Sequence, residues 1–104
     1  MINLNDLASI DTDYFEIKEI KEYSLVLRSK NTGHFWYLLE QVYNGNRSFL
    51  IHHKHSTTKA YHRQKSRPDI CACCEYIRDH DTFHLERKKK KEALHRKRFA
   101  TQSQ

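Results

Sequence analysis

Glycine and proline are scarce in this 104-residue chain, with two of the first and one of the second. That excludes a low-complexity linker. No apolar run approaches the roughly 18 residues needed to cross a bilayer, so no membrane span is expected. The opening "MINLNDLASID" lacks a basic stretch followed by an apolar one, so it does not read as a secretory signal. Cysteine is confined to Cys71, Cys73 and Cys74, too close together to staple distant segments. An odd, crowded set of this kind fits a reducing, cytoplasmic setting. A chain of this length forms one domain at most, with a modest core. A deep substrate pocket beside a cofactor domain does not fit, so neither a small-molecule substrate nor a cofactor is expected. A binding module or a small nuclease-like enzyme does fit.

What is present is positive charge, +6 overall, and it is placed unevenly. Residues 1–53 sum to −2 and residues 68–85 to −3. Residues 54–67 carry +5 and residues 86–98 carry +6. Two separate basic blocks on a nearly neutral body are the footprint of a polyanionic partner.

The pattern of apolar residues predicts an α+β domain. Residues 4–10 suit a short helix capped by Asn3 or Asn5. "YFEIKEIKEY" alternates, with Phe15, Ile17 and, after a slip, Ile20 on one side. "SLVLRSK" and "HFWYLLEQVY" are rich in the aromatic and branched residues that favour strands. Asn44-Gly45 between two apolar runs predicts a two-residue hairpin turn joining strands 34–43 and 46–55. Leu38 then faces Ile51, Trp36 faces His53, and His34 faces His55.

Strand parity assigns the faces. Trp36, Leu38, Val42, Phe49 and Ile51 form one apolar face, with His34, His53 and His55 at its far end. Phe35, Tyr37, Leu39, Leu50 and His52 occupy the other face. Residues 56–67 read as a loop. Pro68-Asp69 opens a helix from 69 to about 80, in which Ile70, Cys73, Cys74 and Ile77 make one buried stripe. "FHLE" reads as a short edge strand. The basic run beyond it suits a frayed or partner-induced helix. The expected architecture is a mainly antiparallel sheet of about four strands, one packed helix and a short N-terminal helix. The domain spans 1–85, and 86–104 forms a basic, partly helical or disordered tail.

Three chemistries compete for the histidine-rich stretch. His34, His53 and His55 on one face could hold a metal such as zinc. Lys54 and Lys59 nearby would oppose a dication, and no local carboxylate supports the ligands. His53, His55 and His62 with Tyr61 could instead serve a metal-independent ribonuclease, which needs a base and an acid that titrate near neutrality. The third reading is recognition. Lys54, His55, Lys59, Tyr61, His62, Arg63, Lys65 and Arg67 interleave cations with rings, suiting phosphates and bases. Arg87, Lys88, Lys89, Lys90 and Lys91 add a second, salt-sensitive contact. "CACC" lacks the second ligand pair of a zinc ribbon, so Cys73 and Cys74 are expected to be small buried core residues.

"LVLRSKNTGHFWYL", "FLIHHKHSTTKAYH" and "YIRDHDTFHL" resemble small uncharacterised proteins carried by phages and conjugative elements of bacteria. The resemblance rests on Thr32-Gly33-His34, His53-Lys54-His55, Tyr61-His62 and His80-Asp81. Such proteins include inhibitors of host defence, among them anti-CRISPR proteins. The resemblance implies a non-enzymatic binder of RNA, DNA or a nucleoprotein nuclease complex.

Overall fold

The computed structural model describes the backbone of residues 1–102 and the side chains of residues 1–96. A short helix α1 (Leu4–Ala8) precedes strands β1 (Phe15–Ile20), β2 (Ser24–Ser29), β3 (Phe35–Tyr43), β4 (Asn46–Lys54) and β5 (His62–Arg67). A long helix α2 (Ile70–Gln102) follows. The strands form one antiparallel sheet in the order β1-β2-β3-β4-β5, so each strand pairs with its sequence neighbours.

The β3–β4 hairpin turns at Asn44 (φ 50°) and Gly45 (φ 75°), the positive dihedrals that an Asn-Gly turn supplies. Its register pairs Leu38 with Ile51 and Trp36 with His53, as the turn position requires. The slip expected in β1 is a register shift between Ile17 and Glu19. Ile17 opposes Leu27 and Ile20 opposes Leu25, which keeps both on one face, although Ile20 lies at the exposed sheet margin.

One face of the sheet carries the core. Phe15, Leu25, Leu27, Trp36, Leu38, Phe49 and Ile51 pack there with Ile10 and with Ile70, Cys73, Cys74 and Ile77 of α2. The helix stripe is therefore the one its spacing predicts, and Cys71 lies outside it, exposed. Burial pushes the thiols of Cys73 and Cys74 up to about 12. They are neutral packing groups at ordinary pH. Trp36 is fully buried and donates its indole N–H to Ser29 Oγ at 3.1 Å. Helix α1 is capped by Asn3, whose side chain accepts from Asp6 N while the Asp6 carboxylate accepts from Asn3 N. Arg47 then bridges Asp6 and Glu40, tying α1 to the hairpin.

Several expectations need correction. The sheet has five strands, because residues 62–67, read as loop, form β5. Nearly every side chain in that strand is exposed, so no apolar alternation marks it. A partner strand with free backbone groups recruits it instead. Val42 is 66% exposed, near the hairpin tip and opposite Arg47, whose guanidinium is drawn to Asp6 and Glu40. Pro68 precedes α2 and Asp69 caps it, accepting from Ala72 N at 2.7 Å.

Helix α2 does not stop near residue 80. It absorbs "FHLE" and continues through Gln102, about 50 Å of helix at 1.5 Å per residue. The "DHDT" stretch continues the helix because Asp81 faces inward. Its carboxylate is fully buried and accepts from Tyr14 Oη at 2.7 Å and Thr32 Oγ1 at 3.0 Å. The tail expected over 86–104 is thus helical as far as 102, and its last two residues lie outside the described residues.

Asp81→Ala leaves two hydroxyls without their charged acceptor beneath α2. It is expected to lower unfolding free energy by about 2–4 kcal/mol in urea denaturation. Asp79→Ala, on the exposed side of the same turn, should change it by less than about 0.5 kcal/mol.

Candidate functional site

Two groups of side chains stand out, on opposite faces of the sheet. The first is a histidine cluster at the end of the core face. His34, just before β3, and His55, just after β4, meet as stacked rings with centroids 4.3 Å apart. His53 Nε2 lies 2.9 Å from His34 Nδ1, and its ring stacks on Trp36 at 4.1 Å. One ligand nitrogen from each of His34, His53 and His55 falls within 4.8 Å of the others. The three-histidine cluster expected from strand parity is therefore present.

Helix α2 adds two histidines that sequence reasoning did not place there. His84 sits edge-on to His34 at 4.6 Å and to His55 at 5.6 Å. His80 sits edge-on to His53 at 4.7 Å and to Trp36 at 5.2 Å. The signal was available: residues 80, 81 and 84 continue the 70, 73, 74, 77 stripe. Ending the helix early hid it. An open hollow of about 530 Å³ adjoins the cluster, bounded by His55, His80, Phe83, His84, Arg87 and Lys88.

Burial, reinforced by neighbouring imidazoles, pushes His53 down to about 3 and His34 down to about 4. Burial also lowers His80, with Asp81 opposing. These rings are neutral at pH 7.

The second group lies on the other face. Both helices pack against the core face, and among the described residues no helix covers this one. Phe35 and Tyr37 of β3 sit centrally, half-buried. His52 lies 5.3 Å from Tyr37, and Tyr61 lies 5.9 Å from it, both from the β4–β5 side. Lys54 Nζ rests over Phe35 at 5.4 Å and over Tyr61 at 4.3 Å. Arg28 lies over Phe35 at 5.8 Å and also pairs with Glu16. Arg63 opposes His52 in the register and shares its face. A shallow hollow between Lys18, Arg28, Gly33, Phe35, His55 and Thr57 adjoins this surface, so His55, at the end of its strand, borders both groups.

The sheet thus separates residues that the sequence groups together. Lys54, Tyr61 and Arg63 belong to the open face. His55 joins the histidine cluster. His62 opposes His53 in the register but is exposed, and Arg67 reaches back over the Tyr76 ring at 5.4 Å. Lys59 and Lys65 are exposed nearby, while Lys89 and Lys90 are exposed on α2. The four residues His53, His55, His62 and Tyr61 are not brought together, because Tyr61 lies across the sheet from His53 and His55. Nor does the Lys54 ammonium face the imidazoles, since alternation sends it to the far side. Arg28, Phe35, Tyr37 and His52 were assigned to no site by the sequence.

No protein-family model, curated protein or solved structure matches this chain.

The sign of the pH dependence follows from the lowered imidazoles. His34 and His53 bind protons less readily folded than unfolded, where the ordinary value is 6.5. Their neutral forms contribute stability fully above 6.5, and that contribution is lost as pH falls towards 4 and then 3. In chelator, the Tm should fall by several degrees between about pH 7 and about pH 4.5. Replacing both residues by Gln should flatten that slope, whatever it does to the Tm at neutral pH.

Proposed function

We propose that the protein is a non-enzymatic nucleic-acid-binding module whose open sheet face receives a single strand, RNA in the first instance. One observation carries this reading. Phe35 and Tyr37 lie on the central strand of a face that no described helix covers, between Lys54, Arg28 and Arg63. Rings on a sheet surface stack on unpaired bases, and flanking cations meet the phosphates. A folded duplex would bury its base faces and could use only the cations.

The basic helix provides a second, sequence-independent contact. Arg87, Lys88 and Lys91 are exposed and adjoin the hollow beside His55, and α2 helps draw the molecule out to 65 Å. Phosphate contacts of this kind strengthen binding and make it salt-dependent without reading sequence. Joined to the resemblance to mobile-element proteins, the platform suits an exposed guide segment of an RNA-guided nuclease. Inhibition of such a complex is the biological role we assign to it. A cytoplasmic location belongs to the same reading. Among the described residues no helix is long and apolar enough to cross a membrane.

Fluorescence anisotropy with a labelled unstructured RNA of about twelve nucleotides tests the platform. The pair Phe35→Ala and Tyr37→Ala should weaken binding by about tenfold or more, given roughly 1–3 kcal/mol for each stacked base. Lys54→Glu with Arg63→Glu should weaken it and reduce the salt slope. Duplex RNA should bind less tightly than the single strand. If the aromatic pair leaves affinity unchanged while Arg87, Lys88 and Lys91 substitutions abolish it, the open face is not the binding surface.

A further inference from the structure

We propose that His34, His53 and His55 form a three-imidazole site for a divalent transition-metal ion such as Zn2+. The site lies across the sheet from the nucleic-acid platform and does not depend on it. Three independent observations carry the assignment.

The first is convergence. A tetrahedral zinc with bonds of about 2.0–2.1 Å sets its nitrogen ligands roughly 3.4 Å apart. The three imidazoles already present one nitrogen each within 4.8 Å of the others, and His34 Nδ1 and His53 Nε2 share a hydrogen bond at 2.9 Å that metal binding would replace, releasing its proton. Side-chain adjustments on the order of an ångström would complete that arrangement. His53 lies within β4 and His34 and His55 flank the paired hairpin, a rigid support for a metal site.

The second is that, among the described residues, no carboxylate hydrogen-bonds to the cluster's imidazoles. Histidines are often gathered by carboxylates, but the adjacent carboxylate, Asp81, is committed to Tyr14 and Thr32. Of the two lysines that counted against a metal in the sequence, Lys54 is displaced. Lys54 lies on the opposite face, over Phe35 and Tyr61.

The third is an unused donor-acceptor atom beside the site. His80 Nδ1 is buried without a hydrogen-bond partner, and its ring lies against His53. Buried polar atoms are satisfied in most native interiors, so an orphan marks a place where a further group belongs. The open hollow bounded by His55, His80 and His84 lies beside the cluster and leaves room for water or an anion in the ion's fourth position. That hollow is also the entry path. Arg87, Lys88 and Lys91 around it favour an anionic fourth ligand over a bare cation site.

Neutral imidazole suits Zn2+, Co2+, Ni2+ and Cu2+ better than Mg2+ or Ca2+, which take oxygen donors. Full-length protein stripped with chelator should bind one Zn2+ per chain by calorimetry. Co2+ should give the intense visible bands of a four- or five-coordinate centre, displaced by Zn2+. His55→Ala alters an exposed ring and should keep the fold. It is expected to weaken Zn2+ binding by about 100-fold or more, at least what loss of a supporting partner costs. His62→Ala, exposed and outside the cluster, should leave Zn2+ binding unchanged. No stoichiometric Zn2+ binding, or His55→Ala binding as tightly as the unaltered protein, would overturn the site. RNA anisotropy on the same samples keeps this outcome separate from that of the platform.

Discussion

The pairing of β3 with β4 is the constraint on which the other features depend. Asn44 and Gly45 take positive φ, and that turn locks Trp36 opposite His53 and Phe35 opposite Lys54. Side chains alternate along a strand, so a slip of one residue would carry the whole apolar set to the other face. Trp36, Leu38, Phe49 and Ile51 would lose their burial together. The same register draws His34, His53 and His55 to one end of the core face. It also leaves Phe35 and Tyr37 among cations on the open one.

Helix α2 is the second layer, and its placement depends on a buried charge. Ile70, Cys73, Cys74 and Ile77 supply apolar contact for two turns. Beyond them the stripe turns polar, with His80, Asp81 and His84. The helix remains against the sheet there because Asp81 accepts from Tyr14 and Thr32, which lie together at one end of the β1–β2 pair, just before β1 and just after β2. Losing either hydroxyl would leave part of a buried carboxylate unsatisfied, a cost of the order of one hydrogen bond to a charged group. By holding this turn, Asp81 brings His80 and His84 up to the strand histidines. A structural latch thereby determines the composition of the histidine cluster.

The two faces divide the chemistry between them. The core face ends in neutral, buried imidazoles suited to a metal. The open face carries half-buried rings with cations over them, suited to bases and phosphates. The strand alternation that separates His53 and His55 from Lys54 explains how one seventeen-residue stretch, 49–65, contributes to both. It also explains why Tyr61 is not brought together with His53 and His55.

The α+β class, the Asn-Gly turn, the β3–β4 register, the buried stripe of α2 and the three-histidine cluster were all legible in the residues. Each depends on local rules: the positive φ of a tight turn, period-two alternation, and the i, i+3, i+4 repeat. Three features came only from the tertiary structure. Strand β5 has no apolar alternation of its own and forms because β4 offers an edge. The length of α2 depended on whether "DHDT" would end a helix or be drawn inward, which Tyr14 and Thr32, 67 and 49 residues away, decide. The open face became a candidate site only once both helices were seen on the other side. Periodicity tells which side chains share a face, while packing between distant segments decides which face is covered.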